Sequence, residues 1–463
     1  MKRPTRVPGG GILHRAAQAN RISRCAGSSW TNGFSTAVAA PPANDRTLSP
    51  VHVGVVGLGY VGLPLAVAFA EAGLRVTGLD TDPARVAGIA SGRSHVGDIP
   101  DDRLGATSAR FVATTRPSDL AVADAILICV PTPLTPEREP DLGPLLAAGR
   151  VVAGQLRAGQ LVVLESTTYP GTTRDQLLPL FEAGGLRVGT DVHLAYSPER
   201  VDPGRTDHTL RSTPKVVGGV TAGCAEAARE LYARVCDEVV VVSSPEAAEL
   251  AKLLENVFRS VNIALVNELA LLCDRMGIDV WEVVDAAATK PYGFMRFDPG
   301  PGMGGHCIPV DPFYLSWRAR SFDMTTEFVE LAGKVNQQMP HHVVERVQRS
   351  LNDVGLAVRG ARIALLGVAY KAGTSDTRES PALKIIRLLR ELGADLRYHD
   401  PLVPTVEGLE SSAFPAVLDE IDLAVLVTAQ PGIDVDVTIA RAPRLLDLRG
   451  VTRGHDADHV ERL

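Results

Sequence analysis

Residues 51–80 read VHVGVVGLGYVGLPLAVAFAEAGLRVTGLD. A branched apolar run ends at Gly57, an apolar helical pattern opens at Gly62, and a second branched run ends on Asp80. The order is strand, glycine turn, helix, strand. Gly57 permits the turn, Gly59 lets backbone approach a pyrophosphate, and Gly62 lets the helix pack on the strand. Tyr60 and Val61 complete a turn whose helix N-terminus faces the phosphates. Asp80, at the strand end, can accept both hydroxyls of a ribose. A 2′-phosphate would be repelled there, so the expected cofactor is NAD, with Arg85 joining its contacts.

Working outward, strands and helices keep alternating. AILICVP (125–131) reads as a buried strand, RVVAGQL (150–156) as a helix, and LVVLEST (161–167) as a strand. VHLAYSPE (192–199) and KVVGGV (215–220) extend the pattern. The strand–helix rule makes this a parallel α/β sheet. From Glu246 to Ala288 there is no proline and apolar residues recur at helical spacing. We expect long helices broken near Gly277, the first of about 28 residues and about 42 Å long, suited to an interprotomer spine. ARIALLGVAYK (361–371) starts a second α/β unit, continued by a helix over 381–392 and strands at ADLRYHD and 423–429. The expected architecture is a Rossmann-like NAD domain (49–244), a central helical and catalytic region (245–338), and a Rossmann-like nucleotide-sugar-binding domain (339–463).

Composition narrows the function. The chain has 463 residues and a net charge of −7. Residues 1–50 hold seven basic side chains and one acid, so the remainder carries −13. An acidic body excludes a general nucleic-acid binder, which shows a basic face. The apolar runs are shorter than the roughly 20 residues of a membrane span, so no membrane partner is expected. Six scattered cysteines form no CxxC pair. That argues against a zinc ribbon or a disulfide scaffold and for a reduced, cytoplasmic protein with no metal site. Residues 1–48 are Arg-rich and acid-poor. They are open to reading as a transit peptide or as a disordered extension. The second is preferred, and deleting them is expected to leave activity intact.

Several segments carry chemistry. Strand C-termini face the ligand crevice in open α/β sheets, which singles out Pro131 and Thr132 after one strand and Thr167 after the next. Cys129 reads as a core thiol. Glu199 and Arg200 follow a strand and precede a Pro/Gly loop. There Glu199 reads as a site acid or base, or else as part of a surface loop. Lys252, Asn256 and Arg259 share one helix face, with Asn262 and Asn267 close to it. Such groups on an otherwise apolar helix need partners if buried. Cys307 leaves a loop with four glycines, Gly304 among them, where a thiol can be exposed and attack an aldehyde. Asp311 lies four residues on. His306 stays unassigned. Lys371 and Arg378 precede a helix with Pro381 in its first turn, a plausible phosphate site. An NAD fold with a nucleophilic thiol implies alcohol to aldehyde, thiohemiacetal to thioester, then hydrolysis. Lys252 and Asn256 would stabilise the oxyanion, and Asp311 or Glu199 would handle protons.

These residues resemble the UDP-glucose/GDP-mannose dehydrogenase family over 51–450. The matching motifs are GLGYVGLP, CVPTP, EST-x-x-PGT, SPER, KLLENVFRSVNIALVNELA, GPGMGGHCIPVDP and DTRESPA. The resemblance implies a four-electron oxidation of a sugar C6 hydroxyl and a homodimer or higher homo-oligomer built on the central helix. It also implies a C-terminal UDP-sugar-binding domain. By that match Cys307 is the nucleophile, Lys252, Asn256 and Asp311 are its polar partners, Glu199 is the Pro-Glu acid and Thr167 the strand-end threonine. Two departures narrow the substrate. Val310 stands where glucose enzymes carry a lysine, and Pro203 where they carry a second glutamate. GGHCIP with PER-x-x-PG is similar to the N-acetylhexosamine branch. AAATKPYGFMRF-x-PGPG is most similar to UDP-N-acetylglucosamine 6-dehydrogenases, with the N-acetylmannosamine enzymes as runner-up. An inactive nucleotide-binding protein on the same fold is the remaining alternative, and the intact Cys307/Lys252/Asp311 set argues against it.

Overall fold

The computed structural model describes residues 51–463 apart from 136, 202–207 and 306–309. The extension 1–48, Pro203, His306 and the expected nucleophile Cys307 lie outside the described residues.

The first α/β unit runs β1 (His52–Val56), α1 (Gly62–Glu71), β2 (Arg75–Leu79), α2 (Pro83–Ala90), β3 (Phe111–Thr114), β4 (Ala125–Ile128), α3 (Gly143–Ala153), β5 (Leu161–Leu164), β6 (His193–Tyr196), β7 (Lys215–Gly219), α4 (Ala222–Tyr232) and β8 (Val239–Val242). Its sheet order is β3-β2-β1-β4-β5-β6-β7-β8, the doubly wound order with its crevice at the β1/β4 switch point. Successive residues of the inner strands feed opposite cores. Val53, Leu127 and Val163 pack on one face; Val56, Ile128 and Val162 pack on the other. That is why these strands read as continuous apolar runs.

The expected parallel sheet is corrected at one step. β6 and β7 pair antiparallel, Ala195 opposite Gly219 and Tyr196 opposite Gly218. The helix expected at 150–156 also starts earlier and ends at Ala153.

α5 (Pro245–Met276) is a single helix of 32 residues, about 48 Å long. Ser244 caps it by accepting the Ala247 N–H at 3.2 Å, worth about 1 kcal/mol. Gly277, at φ +67°, ends it. By length and composition α5 is apolar enough to cross a membrane, a test that a buried core helix also passes. Its apolar residues are interleaved with buried polar ones, so no unbroken run announces it. One face packs into the protein and another leaves Leu250, Leu254, Phe258, Leu265, Leu269 and Leu272 exposed.

α6 (Asp311–Ala319) and α7 (Glu327–Asn352) follow. α7 runs unbroken through 338/339, where the sequence suggested a domain boundary. The second unit is β9 (Arg362–Leu366), α8 (Pro381–Glu391), β10 (Asp395–His399), β11 (Leu423–Leu426), β12 (Leu445–Asp447) and β13 (Val460–Arg462). Its sheet order is β10-β9-β11-β12-β13, parallel throughout.

Candidate active site

A cleft of about 2190 Å³ runs from the glycine turn past the ends of β4 and β5 to α5, α6 and the loop before α8. At its first end the three glycines do different jobs. Gly57 has φ +90°. A Cβ on Gly62 would sit 1.8 Å from the Gly57 carbonyl oxygen, so α1 starts against the turn itself. A Cβ on Gly59 would meet nothing within 4 Å. Space is therefore kept over Gly59 at the start of α1, which is the geometry a pyrophosphate needs. Gly57, Gly59, Tyr60 and Val61 line the cleft.

Asp80 is buried and lines the cleft. Its carboxylate accepts the N–H groups of Leu58 at 2.8 Å and Asp82 at 2.9 Å, and Arg85 at 2.9 Å. Burial works to raise its pKa, but these donors together hold it below the usual aspartate value. An ionised acceptor at the strand end suits a ribose, which must share it with Arg85. The residues present therefore fit NAD.

Further along, Pro131, Thr132 and Thr167 line the cleft. The Thr132 hydroxyl donates to the Thr167 carbonyl at 2.7 Å and so ties the ends of β4 and β5. Cys129 is buried, and burial pushes its thiol well up. It is a core residue, as the sequence reads.

The α5 wall carries the polar set. Lys252 lines the cleft and is nearly buried. Asp311, at the start of α6, lines it too. Asn256 lies behind them. Its amide donates to Asp311 and its oxygen accepts from Arg259 at 2.6 Å. Burial pushes the Asp311 carboxyl up to about 6, against the opposing pull of Lys252, Asn256 and Arg259.

Several expectations are redirected. Asn256 and Arg259 do not line the cleft but form a chain that holds Asp311. Asn262 is turned away and donates to the Phe258 carbonyl, whereas Asn267 is buried against Asn336 and Gly300. Arg200 is spent on Glu255 and the Pro214 carbonyl, so the substrate contact expected of it is not seen. Gly304 makes its close approach to the protein: a Cβ there would lie 2.7 Å from the Tyr370 Cβ. Lys371 is not among the lining residues. Arg378 is, with its guanidinium stacked 5.1 Å from the centre of the Tyr60 ring.

The sequence reading passed over a buried cluster beside Glu199. Lys215, the first residue of β7, donates to Glu165 at 2.7 Å and to the Pro198 carbonyl at 3.0 Å. Tyr232 donates to the other Glu165 oxygen. Burial opposes the charge on Lys215, but Glu165 and Glu199 outweigh it and raise its pKa. Burial raises Glu165. Removing one partner of such a pair costs about 3–5 kcal/mol. The available signal was the scarcity of lysine, seven among 47 cations.

Three family profiles match in chain order. The NAD binding domain of the UDP-glucose/GDP-mannose dehydrogenase family covers 51–236, its central domain 246–338 and its UDP binding domain 364–454. The chain belongs to the UDP-glucose/GDP-mannose dehydrogenase family. It is 37% identical over 389 residues to a UDP-N-acetyl-D-mannosamine dehydrogenase of Pyrococcus horikoshii, covering 82% of this chain and 90% of that one. It is 37% identical over 364 residues to a UDP-N-acetyl-D-glucosamine 6-dehydrogenase of Pseudomonas aeruginosa, covering 78% and 85%. The solved UDP-D-ManNAc dehydrogenase of Pyrococcus horikoshii superposes with a TM-score of 0.82 at 35% identity, covering 89% and 99%. The protein is thus an NAD-dependent nucleotide-sugar dehydrogenase, and residues 364–454 are its UDP-binding part.

Proposed function

We propose that the enzyme oxidises the C6 hydroxyl of a UDP-N-acetylhexosamine, UDP-N-acetylglucosamine first, to the uronic acid. The observation that carries this reading is one cleft holding both the dinucleotide turn and the buried Lys252–Asp311 wall. Relatives named for both N-acetylglucosamine and N-acetylmannosamine support the substrate class, and UDP-N-acetylmannosamine is the second reading. Overall the primary alcohol and one water give a carboxylate, with the hydride equivalents leaving in two steps.

NAD, when bound, supplies the hydride acceptor. The chain does the rest. The Cys307 thiolate adds to the aldehyde carbon to give a thiohemiacetal, and loss of a second hydride gives the thioester. Lys252 faces the oxyanion. Asp311, kept near 6 by burial and fixed by Asn256, takes the proton of the hydrolytic water, with Glu199 as the second cleft carboxylate. The reactive thiol suits a reducing, cytoplasmic setting. The exposed stripe on α5 is proposed to be covered by a second copy of the chain, and Leu254→Lys should then lower the solution mass.

A panel of UDP-GlcNAc, UDP-ManNAc, UDP-glucose and GDP-mannose tests the substrate. About two NADH per sugar is the expected yield, and Cys307→Ala should abolish it. Uronate from the alanine variant would remove the covalent route. No turnover with any of the four sugars would favour a binding protein.

A further inference from the structure

The single antiparallel step in the first sheet has a local effect. A parallel strand would begin at the far edge of the sheet from the cleft. β7 runs the other way, and its register, Tyr196 opposite Gly218, brings Lys215 level with Glu199 when continued. Three bonds then sew the Glu199 loop to the start of β7. The Ser197 hydroxyl donates to the Val216 carbonyl at 2.8 Å, Lys215 to the Pro198 carbonyl at 3.0 Å, and Arg200 to the Pro214 carbonyl at 2.6 Å. One Glu199 oxygen is held by the N–H groups of Arg200 and Val201. The other lies 4.0 Å from the Lys215 ammonium.

We propose that Lys215 is a positioning residue that fixes the place of the Glu199 carboxylate. Glu165 and Tyr232 serve as its buried counter-charge and support. The proposal rests on the reading that Glu199 serves the chemistry. Glu165 after β5, Cys129 after β4 and Cys236 beyond α4 also act on this ion cluster. Lys252 of α5 lines the same cleft. Among these neighbours Lys215 is the cation whose distance to Glu199 falls within ion-pair range.

The test uses the full-length enzyme, with UDP-GlcNAc or whichever sugar of the panel turns over. Removing Lys215 alone strands Glu165, so the informative variant is the neutral pair Glu165→Gln/Lys215→Met, which leaves no unpaired charge at position 165. Its NAD affinity should stay within about twofold of wild type. Its kcat should fall about 10–100-fold with a smaller change in KM, as for loss of a positioned acid or base. Lys215→Arg, which keeps a cation at this place, should retain most of kcat. Glu199→Gln is run in parallel. A neutral pair with near-wild-type kcat, beside an impaired Glu199→Gln, overturns the role of Lys215. A fully active Glu199→Gln overturns the reading of Glu199, and the proposal with it.

Discussion

The two α/β units start alike and diverge within four residues. In each, a glycine with positive φ ends the first strand, and its N–H donates at 2.8 Å to the last carbonyl of the second strand, Gly57 to Leu79 and Gly367 to His399. Each second strand is followed by a buried aspartate that accepts N–H groups from the turn, Asp80 from Leu58 and Asp400 from Val368 and Ala369. Then the first unit places an uncovered Gly59 and begins α1 at Gly62. The second puts buried Ala369 where the first has Gly59, and α8 waits until Pro381. One unit leaves bare backbone open to the cleft. The other closes its turn and sends a long loop to the cleft, where Arg378, Glu379 and Ser380 arrive. A shared framework thus presents two different faces to the cleft, and the spacing between the glycine and the helix sets which.

The sharpest way to break this comparison is at its two crowded glycines. A Cβ at Gly62 meets the Gly57 oxygen at 1.8 Å, and one at Gly367 meets the Thr428 oxygen at 1.9 Å, with φ +74° adding strain. Gly62→Ala and Gly367→Ala should each cost about 3 kcal/mol or more, read by denaturant unfolding. Gly59→Ala should behave oppositely. Its melting temperature stays at wild type while NAD binding weakens about tenfold or more, measured by calorimetry. A stable Gly62→Ala with normal NAD affinity would end the argument for close packing.

The paired aspartates come next. Asp80→Ala should weaken NAD binding about 10–100-fold. Asp400→Asn should lower stability and leave NAD affinity within about twofold. Equal effects on NAD would erase the contrast.

Asp311 gives a pH test. Its folded value of about 6 lies above the ordinary 3.8. The folded state therefore binds the proton more tightly, and ionisation costs stability. The cost is absent below 3.8 and complete above about 6. Asp311→Asn should therefore gain stability relative to wild type as pH rises through that window, and its kcat profile should lose a limb near 6. The smallest effect is expected of Arg378→Ala, which removes the stack on Tyr60: a few-fold rise in KM for the UDP-sugar.

The glycine turn, the long central helix and the second unit were legible in the sequence because each is written in local spacing. The NAD-binding domain was legible for the same reason, since three glycines and one strand-end acid fall within 30 residues. The direction of β7 was not, for KVVGG reads equally well either way and only long-range pairing sets it. The Lys215–Glu165 bond joins residues 50 apart and depends on that direction. Arg200 looked like a ligand contact because nothing local shows that Glu255, 55 residues later on α5, takes it. Asn262 shares the spacing of its neighbours only loosely, and the helix turns it outward.

α7 also constrains how such enzymes can be recombined. Its first half belongs to the α5 side, where Asn336 bonds Asn267 and the Ser260 carbonyl. Its second half, through Met339, Val343 and Val347, is built into the core of the C-terminal unit. A chimera joined at 338/339 would cut one rod between two cores. Graft junctions that exchange nucleotide recognition between relatives belong beyond Asn352, where the rod ends and the second sheet has yet to begin.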